Sequence, residues 1–598
     1  MKLFRFVCLF IAVQMLLSIQ LFAALPPKIG VSGNLLLIND KTAISFIKEN
    51  GNLSPSDRAQ IVYKRLNAVV DAGVRADSIY AKTESDSSRV YAGFDLLCIA
   101  TKQDAKAIGV SSMSLASSWA NRIRTLLSLP AISFSTNKAI VPVGETRSIK
   151  LGGIAEGPIQ AVIDNSSIAS VDVNQELRLI VVRGNNMGYA ICQVIVGGES
   201  SQFLINVRKF AGFMKAIPTV KITGNPCPDD VVELAVKQEV IRNAFLEPGV
   251  SFKITGISGQ KGDYAISSNR LVRVAVKITG DGYLDYVTVL PIVVSNLSMR
   301  YEKPDVLFYS NNPERLLKYQ QLFNGQLEFD KPSRILYHHQ SALVSKARFL
   351  VDIVNPNNES ITLRVTRGTP EPMIDTIIVG YVAGRSFLRD YYSNTSVIET
   401  LPAQSRLVLV SESLGNLQTA SGILQITQLT QGQGALVRVQ ALPLGIDDVA
   451  QGSITPAPNA IIAQLSDHRY LMPVKQIEAQ YTVGKNWAFI NMGKQALTNG
   501  ETNKVLYGNY GVSYEIKVKI NNPTDVKKKV NVLFDPTAGF ASGTFIIDGK
   551  LTNARLVKPP TEYTLASYDL KPGEERNIQI QTIPLAGSNY PAKIIVRS

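Results

Sequence analysis

The stretch Ala347-Arg-Phe-Leu-Val-Asp-Ile-Val-Asn355-Pro356-Asn-Asn-Glu-Ser-Ile-Thr-Leu-Arg-Val365 decides the fold class of this chain. Apolar and polar residues alternate on both sides of an Asn-Pro pair, which is the period of two strands that each bury one face. Proline cannot donate to a strand ladder, so Asn355-Pro356 is expected in the hairpin between the strands. The pattern recurs as Tyr514-Glu-Ile-Lys-Val-Lys-Ile-Asn-Asn522-Pro523-Thr-Asp-Val-Lys-Lys-Lys-Val-Asn-Val532, 167 residues on. Downstream, Leu401-Pro402-Ala-Gln-Ser405 is echoed by Leu570-Lys-Pro572-Gly573-Glu, with the prolines 170 residues apart. A spacing held over so long an interval indicates two homologous β-sandwiches, at 303–445 and 477–598. The segment 446–476, with Ser453-Ile-Thr-Pro456-Ala-Pro458-Asn inside it, is expected to be a linker.

Working outward, residues 211–302 read as a small α+β domain. Asp229 and Asp230 suit the first turn of a helix, where carboxylates meet the positive end of the macrodipole. Val232, Val236 and Val240 give that helix its spacing, and Leu271, Val272, Val274, Val276 and Ile278 belong to a following strand. Residues 131–210 are β, with strands through Ile140–Leu151, Ile168–Val173, Leu179–Gly184 and Gly188–Val194. Residues 34–130 read as a small α/β domain. Its first helix opens with Ser54-Pro55, a cap followed by a proline where helices accept one. A second helix carries Leu115, Trp119, Ile123 and Leu126 and stops before Pro130.

At the start, Lys2 and Arg5 precede an apolar run from Phe6 to Leu17, and Ala23-Ala24 follow. That order is the mark of a secretory signal peptide at 1–24, and it implies an exported, extracytoplasmic protein. The chain of 598 residues is 45% hydrophobic and 18% charged, a globular composition that excludes intrinsic disorder. Without the leader it keeps 60 basic against 48 acidic residues, net +12, spread along the chain. That balance suits anionic partners such as envelope glycans, whereas no nucleic-acid-binding motif is present. Cys98, Cys192 and Cys227 remain after leader removal; they are too few and too far apart for a disulfide framework. All three read as small buried hydrophobes, Cys98 and Cys192 in strand-like stretches, with an exposed thiol as the alternative for Cys227 in its proline-flanked loop.

The segments "Val143-Gly-Glu145", "Asn165-Ser-Ser-Ile168-Ala-Ser-Val171" and Gly188–Val194 resemble a bacterial Ig-like domain and, equally, the N-terminal domain of pilus-type secretins, over about 133–207. The Asn-Pro and Pro-Gly-Glu signatures resemble Ig-like and fibronectin-like sandwiches of exported prokaryotic proteins, over about 305–443 and 478–598. Residues 34–129 resemble extracytoplasmic domains of bacterial envelope proteins, including mechanosensitive-channel relatives. These resemblances imply a mainly β fold of tandem Ig-like sandwiches with two small helix-containing domains in the N-terminal half. They imply spacers, stalks and assembly collars, and no catalytic residue.

Motifs for chemistry are sparse. Adjacent strand residues point to opposite faces, so His338 and His339 are not expected to share a metal. Ser45-x-x-Lys48 lacks the partner motifs of acylating enzymes. Gly280-Asp281-Gly282 reads as a hairpin turn and not as a calcium loop. Trp487-Ala-Phe489-Ile reads as alternating core residues, with a sugar-stacking platform as the sharper alternative. The expectation is a non-enzymatic scaffold or adhesion protein of a bacterial cell envelope, with no catalytic, cofactor or metal site. The alternatives are an accessory of a pilus or secretion apparatus and a glycan-binding protein. Partners are expected to be other envelope proteins, this chain itself through β-edge pairing, or anionic glycans.

Overall fold

The computed structural model describes residues 25–84, 87–259, 262–447, 449–457, 464–498 and 503–598. The expected leader, and Pro458 of the expected linker, lie outside them. The chain divides into two units, residues 1–210 with 281–284, and residues 211–280 with 285–598.

In the first unit, helix α1 (Pro55–Asp71) begins as its sequence dictates. Ser54 and Asp57 form a reciprocal capping box, and Pro55 occupies the first turn. Helices α2 (Lys102–Ala107) and α3 (Ser112–Leu127) follow, with two three-stranded sheets, Ile29–Ser32 to Lys41–Ser45 and Ile79–Glu84 to Asp95–Ala100. The first of those sheets carries too few residues per strand to show a period in the sequence. Leu36, Val62, Leu66, Val90, Trp119 and Ile123 share one core. A buried ion pair, Arg58 to Asp104 at 2.7 Å, ties α1 to α2. Residues 133–208 form two four-stranded sheets around Val141, Ile149, Ile180, Cys192, Phe203 and Ile205, a sandwich of the Ig-like kind.

The second unit is organised by one eleven-stranded sheet. It runs from Ser251–Ser258 through Asn269–Thr279, Tyr286–Leu297, Thr219–Thr223, Ser396–Leu401, Ile361–Gly368, Thr419–Gln428, Ser333–Ser341 and Val306–Ser310 to Arg469–Leu471, and the eleventh strand, Arg315–Leu316, pairs with the end of Ser333–Ser341. Residue 302 is therefore no sheet boundary: Thr219–Thr223 pairs in parallel with Tyr286–Leu297 and antiparallel with Ser396–Leu401. Helix α4 (Asp229–Asn243) and a five-stranded sheet containing Ala347–Val354 cover one face. Helix α5 (Thr376–Tyr392) and the final sandwich cover the other. The final sandwich pairs a five-stranded sheet containing Val474–Thr482 with a four-stranded one containing Ala592–Arg597. Part of the expected linker is built into the sheets, since Ile454–Pro456 pairs with Ser405–Leu414 and Arg469–Leu471 with Val306–Ser310.

The Asn-Pro pairs are not hairpins. Ala347–Val354 and Ile361–Gly368 lie in different sheets, as do Ser513–Asn521 and Lys528–Asp535, so each pair arches the chain from one sheet to the other. An arch leaves backbone groups of the neighbouring turn without ladder partners, and the asparagine supplies them. The Asn355 amide donates to the carbonyls of Glu359, Leu401 and Pro402 at 2.8, 3.2 and 2.9 Å. Asn522 donates to Val526, Leu570 and Lys571 at 2.9, 3.1 and 3.1 Å. The equivalence is thus Leu401 with Leu570 and Pro402 with Lys571, a shift of 169 residues and not the proline-to-proline 170. Asn522→Ala is expected to cost about 2–3 kcal/mol, because buried carbonyls lose their donor. Urea unfolding of the full chain measures this, and a loss under about 0.5 kcal/mol would remove the arch from the account of stability.

Candidate binding surfaces

The sequence candidates for chemistry end up apart. His338 and His339 are both buried on Ser333–Ser341. His338 Nδ1 meets Ser421 Oγ at 3.0 Å, while His339 meets Ser310 Oγ at 2.9 Å and the Pro313 carbonyl at 2.8 Å. Lys48 takes part through its backbone, its N–H donating to Asp104 Oδ1 at 3.0 Å, and its side chain is exposed. Gly280-Asp281-Gly282 lies between the antiparallel strands Asn269–Thr279 and Tyr286–Leu297. Among the described residues no three His, Cys, Asp or Glu side chains gather as a metal site. Cys227 is fully buried, which removes the alternative of an exposed thiol there. Its backbone exchanges two hydrogen bonds with Tyr264, and burial pushes its thiol up to about 12.

Burial lowers both imidazoles to about 4, with the neighbouring His339 adding to the shift of His338. A histidine whose folded pKa lies below its unfolded value stays neutral in the native state while the unfolded chain takes up protons. Stability is therefore full above about pH 7.5 and falls as pH drops from 6.5 towards 4, by about 1.4 kcal/mol per pH unit for each imidazole. Denaturant titrations across that window, flattened in a His339→Gln variant, are the expected outcome. A profile equally steep in the variant would remove His339 from the account.

The second unit is cemented where α5 lies between the large sheet and the final sandwich. Asp375 caps α5 by accepting from the N–H groups of Ile377 and Ile378 at 3.0 and 2.9 Å. Gly380 and Gly384, one turn apart, face the segment Leu585-Ala586. A Cβ on Gly380 would stand 1.9 Å from the Ala586 carbonyl oxygen, and one on Gly384 2.1 Å from Leu585 Cδ2. On its sheet side the helix meets Gly368, where a Cβ would lie 2.2 Å from the Ala383 carbonyl oxygen. Arg334, fully buried, crosses the same junction. It donates to the Gly511 carbonyl and Ser513 Oγ of the final sandwich at 2.8 and 2.9 Å and to Gln425 Oε1 of the sheet at 3.0 Å. Its guanidinium also lies over the rings of Phe387 and Tyr391 of α5.

Trp487 overturns its expected place in the core. It is 46% exposed and Phe489 is 54% exposed, whereas Ile490 and Met492 are buried. The alternation is as expected; the face turned inward is the other one. Asn491 shares the face of Trp487 and Phe489, so Ala488, Ile490 and Met492 form the more uniformly apolar set. That was the signal available in the sequence. The Arg597 guanidinium stacks 4.4 Å from the Trp487 ring and Lys593 Nζ lies 5.9 Å from that of Phe489. Ala488–Met492 is the terminal strand of its sheet, so the two rings and two cations form a platform at the sheet's edge.

A family described as "Domain of unknown function (DUF8459)" matches residues 37–128, the first α/β domain alone. No curated protein matches the chain. Among solved structures, domains 4 and 5 of the S-layer protein SbsC are similar at 18% identity and a TM-score of 0.12, over 13% of this chain and 45% of that one. Domains 5–6 of the same protein are similar at 12% identity and a TM-score of 0.13, over 27% and 97%. Human protocadherin-24 EC1-2 is similar at 11% identity and a TM-score of 0.12, over 28% and 99%. This chain spans less than half of the first of these structures, and no function is read from any of them. Among the described residues, no helix is long and apolar enough to cross a membrane.

Proposed function

We propose that this chain is an exported, non-enzymatic scaffold of a bacterial cell envelope or surface, whose β modules present their faces and edges to other envelope proteins. The observation that carries this reading is the junction at α5. Close approach of Ala586 backbone at Gly380 and of the Leu585 side chain at Gly384, a buried arginine and one shared sheet make the modules after residue 211 a single stiff body and not beads on a string. A stiff body holds partner-binding surfaces at fixed separations, and the charged, apolar, small-residue order of the N-terminal segment supports export. Cross-linking in cells, followed by mass spectrometry of the recovered partners, tests the proposal. Links to surface or wall proteins, or between copies of the chain, are expected. Links to pilus or secretion subunits would make it an assembly accessory, and links to cytoplasmic proteins alone would overturn the reading.

A second reading, binding of anionic glycans, is favoured by the exposed Trp487–Phe489 platform. Arg597, itself paired with Glu562, stacks on an indole exposed enough to meet the apolar face of a sugar ring, with Lys593 placed to attract an acidic substituent. Trp487→Ala is expected to reduce retention on isolated envelope glycans at least tenfold with an unchanged melting temperature. Equal retention of the variant would remove this reading.

A further inference from the structure

The strand Ser251–Ser258 ends the eleven-stranded sheet, paired on one side with Asn269–Thr279. None of its eight residues is buried, and no backbone hydrogen bond joins its other side to a described residue. Beside this open edge lies a groove of about 560 Å³ between the strand and α4. Val236 and Ile241 of α4 line one wall, Phe252, Ile254 and Ile257 of the strand line the other, and Val272 lies within it. A volume of this size falls in the range of sites that hold ligands. Phe252 and Ile254 alternate along the strand, and the bulge between Ile254 and Gly256 restores Ile257 to the same wall.

We propose that this groove binds an extended polypeptide segment, which adds as a further strand along Ser251–Ser258 and places alternate apolar side chains between that strand and α4. Open backbone groups supply affinity in this mode, and pockets two residues apart supply specificity. Eight residues of strand span about 26 Å, so the occupant is a segment of about that many residues. Charge on the rim selects its sequence. Lys237 is tied to Glu233 at 2.5 Å, while Asp229 has no ion-pair partner among the described residues and faces the groove at the end marked by Gly259 and Tyr264. The occupant therefore carries a lysine or arginine near one end. A second copy of this chain does not fit through the same edge. Its strand carries Lys253 and a bulge between Ile254 and Gly256, the devices that keep natural edges from pairing with themselves.

The proposal is a property of the chain itself and holds whether or not the envelope reading does. Its test uses the full chain as bait for displayed random twelve-residue peptides, followed by hydrogen exchange with the best synthetic peptide. Expected are selected sequences that alternate apolar and polar residues with a terminal lysine or arginine, and amide exchange in 251–258 slowed at least tenfold. Methylating the peptide's backbone nitrogens at one set of alternate residues should weaken binding at least tenfold, and at the other set hardly at all. Ile257→Glu should likewise weaken it tenfold. Asp229→Asn should weaken it about threefold and relax the preference for a cation. No enriched peptide, protection of the exposed valines of Tyr286–Leu297 in place of 251–258, or equal tolerance of methylation at both sets would overturn it. The methylated peptides need no altered protein, so misfolding of a variant leaves that arm intact.

Discussion

Gly380→Ala loosens the final sandwich from the rest of the second unit and lowers stability by about 3 kcal/mol, the upper end for an inserted methylene. Two effects of opposite sign compete at this position. Alanine in place of glycine within a helix is worth about 1 kcal/mol in the stabilising direction. Against it stands a methyl group required to occupy space 1.9 Å from the Ala586 carbonyl oxygen. Neither side can give way cheaply. The obstacle is backbone, and the helix is held from behind by Gly368 against Ala383. Overpacking wins, and the helix and the 585–586 segment part. The measurement is calorimetry of the full chain with limited proteolysis. A lower transition for the final sandwich and new cleavage around 583–590 are expected. A melting temperature equal to or above that of the unaltered chain would mean that the junction relaxes freely, and the stiff-body argument would lose its main support.

Asp352→Ala is expected to cost about 3–5 kcal/mol, the loss that follows when one partner of a buried ion pair is removed. Asp352 is completely buried. It accepts from Arg438 Nε at 2.8 Å and from Arg406 Nη1 at 3.3 Å, and Arg438 is itself buried. Arg406 also pairs with Asp447, whose hydrogen bonds to it hold that carboxyl below its ordinary range. In the variant Arg406 keeps Asp447, whereas Arg438 is left a desolvated cation without its hydrogen-bonded carboxylate. The cost should therefore be recovered in large part by Arg438→Met in the same chain, an apolar side chain of similar length. Urea unfolding of the two single variants and the double variant measures the coupling. A double variant no more stable than Asp352→Ala would place the loss in packing and not in charge.

Much of this architecture was legible because its signals are local. The Ser54-Pro55 start of α1, the period of two through Leu271–Ile278 and the repeated Asn-Pro segment each depend on a few neighbouring residues. Helix α5 is illegible in the sequence because its signals conflict. Ile377, Ile378 and Val379 are β-branched, Gly380 and Gly384 weaken a helix, and burial on several sides erases the polar face that periodicity needs. Asp375 as a cap was the one readable sign. The candidate surfaces were less legible than the fold. Alternation around Trp487 defines two faces without saying which is covered. The groove beside Ser251–Ser258 joins elements separated in the chain, and nothing near Phe252 or Ile257 announces the wall that Val236 and Ile241 provide.

The sequence alone determined that this is a mainly β chain of several modules in which one Asn-Pro segment recurs, since strand period, cap and repeat are carried by adjacent residues. Tertiary structure decided the rest. It turned the Asn-Pro segments into arches between sheets and ran one sheet through the module boundary at residue 302. It also buried Cys227 and exposed Trp487. The physical reason is common to all four. Which strand a backbone edge pairs with, and which face a neighbour covers, depends on groups more than a hundred residues away, and the free energy of burying them is settled only when those groups meet.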